Sequence, residues 1–443
     1  MGYTISKENF WSSIEPAIQL LKFRASYGSL GNQTIIGSRI VRSGQAFSEV
    51  LDPNVANYLY LEEIPISQRL GRLIDGERPN YASMPGIRSE NLTWETITTM
   101  NLGIEAAFLE NRLGLEADFY NRVTDNMMGP SIQLPSVLGA GAPTTNNAKL
   151  ETKGYEISLS WRDRIENFSY HAKASLGDYQ ATILEYVNET GNVHTWYAGK
   201  KHGDVWGLVS DGLIQSENEP MHDQSYYYAK WGPGDMKYKD LTNDGIIDPG
   251  DQTLDDHGDL KIITNTTPRY LVSLNGGFNW RNWDFNMFWQ GVGSSPFIPQ
   301  LGSEFYWGHV NNPNSAILIK NSYHLDYWRP ADETNILGPN TDAYFPKPYF
   351  STERNKNLQT QTRFVDNARY LRLKNLQVGY NLPASVLNKL PVSSLRIYFS
   401  GENLLTLQSL PKGYEPENMI ASDTYMRTYP ISQMYSLGLN ISF

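Results

Sequence analysis

The sequence predicts an all-β protein, an antiparallel transmembrane β-barrel with long extracellular loops, of which this chain holds about ten strands. Three observations lead to this fold class. Apolar and polar residues alternate with a period of two along many stretches. Each stretch runs for roughly 10 to 16 residues, whereas strands of soluble sheets usually have about five or six. The connections between the stretches are alternately long and short, which is typical of outer-membrane barrels.

The clearest alternation ends the chain. In "YSLGLNISF" every second residue from Tyr435 to Phe443 is apolar, and the residues between them are small or polar. Successive strand residues point to opposite faces of a sheet, so the pattern predicts one apolar and one polar face. Nine further spans show similar patterning, namely 18–30, 94–109, 112–122, 150–163, 167–184, 269–281, 283–290, 367–383 and 394–407.

The connections divide into two classes. The shorter joins are 109–112, 162–167, 280–283 and 382–394, and the long joins are 31–92, 127–148, 185–268, 294–366 and 408–433. Outer-membrane barrels have tight turns in the periplasm and long loops outside. If the last strand ends in the periplasm, every long connection of this chain lies outside the cell.

One predicted strand changes face along its length. In "RYLRLKNLQVGYNL" Leu371 and Leu373 share one face, whereas Leu376 and Val378 lie on the other. Two explanations fit this pattern. A β-bulge resets the register near Lys374, or the upper part of the strand stands above the bilayer.

Composition excludes several function classes. The chain has 443 residues, a net charge of -10 and no cysteine. The acidity argues against a nucleic-acid partner. Without cysteine there are no disulfides, thiolate metal sites or cysteine nucleophiles. No apolar run is long enough for a transmembrane helix. No signal peptide follows Met1, so we expect an exported protein to begin upstream.

An acidic stretch, "KDLTNDGIIDPGDQ", has the spacing of an EF-hand calcium loop. Its departures from that pattern are Thr242, in place of Asp or Asn, and Asp251, in place of Glu, and they imply modest affinity. No amphipathic helix precedes the loop, so a calcium sensor is not expected. The alternative is an Asp- and Gly-rich turn without metal. The candidate ligands are Asp240, Thr242, Asp244, the Ile246 carbonyl, Asp248 and Asp251.

Aromatic residues are frequent in the same long connection. As candidate contacts with a substrate or a partner protein we take Trp206, Tyr226, Tyr227, Tyr228 and Trp231. The alternative is packing between loops. Residues predicted for the membrane interface are Trp280, Trp283 and Tyr380, and those predicted for a water-filled lumen are Glu116, Asp118, Arg122, Arg372 and Arg396.

Catalytic motifs are missing from the sequence. There is no HExxH, no G-x-S-x-G and no phosphate-binding loop. We therefore expect that the protein is not an enzyme. Transport and ligand binding remain as function classes, and a soluble β-rich binding protein is compatible with the same alternation.

Several stretches resemble one family, the SusC/RagA-type TonB-linked outer-membrane transporters. They are "LKFRASYGSLGNQTI", "GDMKYKDLTNDGIIDPGDQT", "TPRYLVSLNGGFNWRNWDFNMFWQG", "YLRLKNLQVGYNLP", "LRIYFSGENLLTL" and "GYEPE", and they follow one another in the family's order. The resemblance implies a 22-stranded barrel filled by an N-terminal plug. Residues 1–443 resemble its C-terminal part, so we expect the plug and the N-terminal extension to be absent from this chain.

The same resemblance implies a function. It predicts TonB-dependent import of oligomeric nutrients, with glycans as the preferred class, across the outer membrane of a Gram-negative, Bacteroidetes-like bacterium. The implied partners are a SusD-like surface lipoprotein and the TonB complex, contacted through the missing N-terminal part. The alternatives are an oligopeptide importer of the same family and a soluble, calcium-stabilised carbohydrate-binding β-protein.

Overall fold

A computed structural model provides the structure. It describes residues 1–32, 38–43, 46–51, 64, 66–67, 73–82, 87, 89, 92–130, 137, 143–300, 303–311, 321–334, 336–389, 391–411, 413–420 and 429–443.

The described residues form β-strands along most of the chain. In chain order they are β1 (Gly2–Thr4), β2 (Ile18–Asn32), β3 (Ser38–Ser43), β4 (Ala46–Leu51), β5 (Ile66–Ser67), β6 (Tyr81–Ala82), β7 (Glu95–Phe108), β8 (Leu113–Pro130), β9 (Thr144–Ile165), β10 (Phe168–Glu185), β11 (Asp204–Gly207), β12 (Ser210–Leu213), β13 (Met236–Tyr238), β14 (Lys261–Asn265), β15 (Arg269–Trp280), β16 (Trp283–Ser294), β17 (Pro296–Phe297), β18 (Asp366–Asn367), β19 (Tyr370–Asn381), β20 (Ser394–Gln408) and β21 (Met434–Ser442).

Helices are short. The α-helices are α1 (Glu304–Trp307), α2 (Asn321–His324), α3 (Ala384–Leu387) and α4 (Pro416–Ile420), and the 3-10 segments are Ile5–Lys7, Asn9–Ser13, Gly308–Val310, Thr352–Lys356 and Thr362–Phe364. Across the described ranges, no helix has both the length and the apolar character needed to cross a bilayer.

Eleven strands form one antiparallel sheet. Their order is β1-β2-β7-β8-β9-β10-β15-β16-β19-β20-β21, so the long strands pair with their neighbours in the sequence. All ten spans predicted from alternation are confirmed as strands of this sheet. The sequence analysis missed β1, which is too short for a period of two to be visible.

The two faces of the sheet differ in polarity, as the alternation predicts. On one face Phe278 stacks on Phe285 of the paired strand, with 5.1 Å between the ring centroids. On the other face Arg396 Nε donates to Asp284 Oδ1 at 2.9 Å. The residues predicted for the interface, Trp280, Trp283 and Tyr380, share a face and pair across β15, β16 and β19. The predicted lumen charges lie on the opposite face.

A β-bulge explains the change of face in β19. On β16, Phe288 pairs with Asn375 and the next residue, Trp289, pairs with Leu373. Lys374 is skipped and has no partner in the ladder. The pairing with β20 shifts at the same place. Of the two explanations, the β-bulge near Lys374 is therefore the one that the structure supports.

The main hydrophobic core lies among the loops. Three long connections, β10–β15, β16–β19 and β20–β21, leave the sheet at the same rim and pack together. Their fully buried aromatic and aliphatic residues include Leu208, Met236, Tyr238, Tyr306, Trp307, Phe345 and Phe364. The loops therefore form a folded layer, which we call the loop layer, above one rim of the sheet.

The "GYEPE" segment joins the loop layer to the sheet. Tyr414 belongs to the loop core and donates its hydroxyl to the Phe305 carbonyl at 3.0 Å. The next residue, Glu415, accepts from Arg372 Nη2 of β19 at 2.5 Å, and both side chains are almost fully buried. Arg372 also reaches Glu417 at 2.7 Å. A buried ion pair thus attaches the β20–β21 loop to the sheet.

Removal of the Arg372 cation should loosen this loop. Arg372→Met leaves the buried Glu415 carboxylate without a cation, with only the backbone amides of Glu417 and Ile431 as donors, which costs about 3–5 kcal/mol. In the purified full-length protein we expect faster protease cleavage within the β20–β21 loop. Adding Glu415→Gln should slow cleavage again, because the uncompensated charge is gone.

Arg122→Met is the matched control, since Arg122 is an exposed arginine on the same face of the sheet. Equal cleavage rates for Arg372→Met, Arg122→Met and the unaltered protein would contradict the assigned role of the ion pair.

Candidate functional site

The first part of the acidic loop is organised by Asp240. Its Oδ1 accepts from the Asn243 amide at 2.6 Å and its Oδ2 accepts from the Gly245 amide at 2.8 Å. Burial opposes ionisation of this carboxyl, but these hydrogen bonds outweigh it and lower the pKa of Asp240. Gly245 has φ of 85°, a left-handed conformation that glycine adopts without strain. It occupies the glycine position of the EF-hand pattern.

The second part of the loop is held by a residue that the sequence analysis missed. Asp259 is buried, its Oδ1 accepts from the Leu241 amide at 2.5 Å, and its Oδ2 accepts from the Asp248 amide at 2.9 Å. One carboxylate therefore ties together the start and the end of the loop. Asp259 lies beyond the twelve-residue pattern, so the spacing gives no indication of its role.

The predicted metal ligands lie along one continuous turn. Asp244 accepts from the Ile246 amide at 2.8 Å, and Asp248 accepts from the Gly250 amide at 2.8 Å. Asp251 is exposed. Over the described ranges, no group of three or more His, Asp or Glu residues is arranged to hold a metal ion. Calcium at this loop therefore stays a prediction.

The five predicted aromatic contact residues have different environments. Tyr226 is 60% exposed and meets Tyr227 edge to face. Tyr227 and Trp231 pack against Tyr238 of the loop core, with centroid distances of 6.0 and 6.1 Å. Burial raises the pKa of Tyr227. Tyr226 is thus the member of the cluster that presents its ring to solvent most openly.

Tyr228 and Trp231 surround a buried cation. Lys356 is 1% exposed, and its Nζ lies 2.7 Å from Asp235 Oδ2. The same ammonium lies 5.2 Å from the Tyr228 ring centroid and 5.1 Å from that of Trp231. Such cation–π contacts stabilise a desolvated ammonium. The sequence analysis missed Lys356, since more than a hundred residues separate it from the aromatic cluster.

Trp206 lies on the other side of the cluster, on β11. Its Nε1 donates to the Tyr197 hydroxyl at 3.2 Å, and its ring centroid lies 5.1 Å from that of His257. Between Trp206 and the Tyr226–Tyr227 pair is a cavity of about 520 Å³, which we call the loop cavity. Its wall also includes Gln252, Gln359 and Thr360. The structure thus brings three of the five predicted aromatic residues to one cavity.

Comparison with known proteins identifies the family. A family model described as "TonB dependent receptor-like, beta-barrel" matches residues 25–404. The chain belongs to this family of TonB-dependent receptor β-barrels. Members of the family are outer-membrane proteins, so the predicted location in the outer membrane is confirmed. Of the two interpretations of the sequence, the membrane barrel is therefore supported and the soluble carbohydrate-binding protein is not.

Similar proteins span more sequence than this chain. TonB-dependent receptor P3 of Formosa agariphila is 26% identical over 468 residues, covering 100% of this chain and 41% of the relative. TonB-dependent receptor SusC of Bacteroides thetaiotaomicron is 23% identical over 457 residues, covering 100% of this chain and 39% of the relative. The chain therefore spans about two fifths of the length of these relatives.

Solved structures of the RagAB peptide transporter share the fold of this TonB-dependent receptor barrel. One superposes with a TM-score of 0.66 at 20% identity, covering 100% of this chain and 43% of the solved chain. The open-open state of the RagAB peptide importer gives a TM-score of 0.68 at 19% identity, covering 100% of this chain and 42% of the solved chain. The architecture of sheet and loops is thus that of a SusC/RagA-type barrel.

The calcium prediction can be tested at one residue. If the acidic loop binds calcium, titration of the full-length protein in a calorimeter should show binding with a dissociation constant of about 10⁻⁴–10⁻³ M. Asp244→Ala should abolish that heat because it removes a ligand. Asp255→Ala, an exposed acid outside the ligand positions, should keep it. If the protein binds no calcium, or if Asp244→Ala binds calcium as well as the unaltered protein does, the calcium hypothesis is wrong and the acidic stretch is a turn without metal.

Proposed function

We propose that this chain is part of a TonB-dependent importer that carries oligosaccharides across the outer membrane. The observation that supports it most is the combination of a two-faced antiparallel sheet with a packed loop layer above one rim. A membrane barrel with a polar inner face encloses water. A rigid loop layer above such a channel offers a capture surface for large solutes.

The polar face supports a water-filled path. Its charges form cross-strand pairs, as in Arg24 Nη2 with Asp118 Oδ2 at 2.8 Å and Lys22 with Glu105 at 3.2 Å. Ser158 and Ser175 bond to each other at 2.7 Å in the same layer. Exposed ions and hydroxyls are costly against hydrocarbon, so this face belongs against water and the opposite, apolar face against lipid.

Import against a gradient needs an energy source. The sequence has no nucleotide-binding motif, and we propose that the TonB complex supplies the energy, as the family name implies. We further propose a SusD-like lipoprotein as the partner that closes over the loop layer. Transport rather than catalysis is the function that these features support.

The substrate class is the finer part of the proposal. The solved relatives are named as peptide transporters, which keeps oligopeptides as the second candidate. The loop cavity favours sugars, because its aromatic rings suit the apolar faces of pyranoses and its amides suit their hydroxyls. Glycans are therefore the preferred class.

The proposal predicts the phenotype of a deletion strain. Loss of the full-length gene should abolish uptake of at least one fluorescently labelled oligosaccharide, while uptake of monosaccharides stays unchanged. A protonophore that collapses the proton gradient should abolish the same uptake in the unaltered strain, since TonB is driven by that gradient.

Two outcomes would contradict it. If the deletion abolishes uptake of labelled peptides and of no oligosaccharide, the oligopeptide importer is correct. If gene-dependent uptake persists after the gradient collapses, the TonB-driven mechanism is wrong.

A further inference from the structure

The loop cavity is assembled from six separate parts of the chain. Trp206 comes from β11, the Tyr226–Tyr227 pair from the connection between β12 and β13, Gln252 from the end of the acidic loop and Gln359 from the segment before β18. The other two parts contribute His194 and Leu260. Its volume of about 520 Å³ falls within the range of small-molecule sites, about 300–1,000 Å³. The cavity therefore exists because the loop layer folds as one unit.

The walls of the cavity are fixed before any ligand arrives. The Leu208 amide donates to the Thr360 carbonyl at 2.9 Å, and the Thr362 amide donates to the Leu208 carbonyl at 3.0 Å. These bonds hold the Trp206 side of the cavity to the Gln359 side. The contact with His257 and the bond to Tyr197 fix the indole of Trp206. A preformed wall reduces the entropy lost on binding.

Polar groups on the wall remain available. Within the described residues, neither the Tyr226 hydroxyl nor the side-chain amide of Gln252 makes a hydrogen bond, and the side chain of Gln359 uses only its Nε2, which donates to the Asn355 carbonyl at 2.8 Å. Donors and acceptors are thus free beside two aromatic rings, those of Trp206 and the exposed Tyr226.

The lining is also uncharged. Of the described residues that line the cavity, none is Lys, Arg, Asp or Glu. Its histidine, His194, is neutral at pH 7, because burial and the nearby Lys200 lower the pKa of the imidazole below its usual value. A ligand that carries a carboxylate, a sulfate or an ammonium would lose hydration without gaining an ion pair, which is unfavourable. The cavity therefore suits a neutral ligand with an apolar face and a polar edge.

We propose that the loop cavity is a binding subsite for a neutral sugar ring of an oligosaccharide, stacked on Tyr226 and Trp206 and bonded at its edge to Gln252 and Gln359. This inference rests on the proposed import of oligosaccharides and adds its subsite and its preference for uncharged sugars. Aromatic stacking fixes the plane of the ring, and the two amides fix its rotation within that plane.

Calorimetry on the purified full-length protein tests the subsite. The probes are maltohexaose, cellohexaose, xylohexaose and mannohexaose, with a galacturonic acid hexamer and a mixed octapeptide pool as charged competitors. We expect at least one neutral hexasaccharide to bind and the charged probes not to compete for it. Tyr226→Ala should weaken that binding about tenfold through loss of stacking.

Two further variants separate stacking from hydrogen bonding. Tyr226→Phe keeps the ring and removes only the hydroxyl, so it should weaken binding by at most about fivefold. Gln252→Ala should also weaken binding about fivefold. Tyr429→Ala, an 84% exposed tyrosine that does not line the cavity, is the matched control and should bind as the unaltered protein does. Heat-modifiable migration on a gel checks that each variant is folded.

Several results would overturn the subsite. These are unchanged binding in folded Tyr226→Ala and Gln252→Ala, stronger binding of the galacturonic acid hexamer or the peptides, or no binding of any neutral probe. The import proposal is judged separately. If an oligosaccharide enters cells only when the gene is present and Tyr226→Ala imports it normally, the subsite is wrong and the importer stands.

Discussion

A strand inside a bilayer has no water to satisfy its backbone, so every N–H and C=O must bond to a neighbouring strand. The rest of this structure follows from that constraint. The long strands from β7 to β10 pair residue by residue over most of their length, and the register shifts only near the ends of β8 and β10, after Thr124 and after Ile183. Pairing residue for residue fixes which side chains share a face, and this produces one apolar and one polar face. The connections must leave at the rims, where water is present.

The loop layer is ordered in a different way, because the loops have no continuous ladder of backbone hydrogen bonds. A hydrophobic core orders the loops instead. Buried ion pairs join the loop layer to the sheet and join separate loops within the layer. Arg372 with Glu415 links β19 to the β20–β21 loop, and Lys356 with Asp235 links two long connections. Asp178 of β10 pairs with Arg269 at the start of β15, closing the base of the longest described loop. Rigidity of this layer gives the loop cavity its fixed walls.

Sequence patterns predicted the sheet far better than the loops. The alternation that predicts a strand lies within the strand's own residues, so it can be read from the local sequence. Even the bulge at Lys374 was visible there as a change of face. Contacts in the loop layer join distant parts of the chain. Asp259 and Lys356 carry no local signal, because each acts on partners that only the folded loops bring near. The "GYEPE" stretch singles out Glu415, but nothing local indicates that its partner is Arg372. The aromatic cluster was found by its density, but which rings are buried and which line the cavity depended on the packing.

The central claim is that the sheet spans the membrane with its polar face toward water. Because the chain has no cysteine, single cysteines along β15 can carry spin labels, whose collision rates with oxygen in lipid and with a nickel chelate in water are then measured. The account predicts that oxygen reaches labels at Val272 and Leu274, that nickel reaches those at Ser273 and Asn275, and that the preference alternates along the strand. Equal access of nickel to both sets of positions would contradict it.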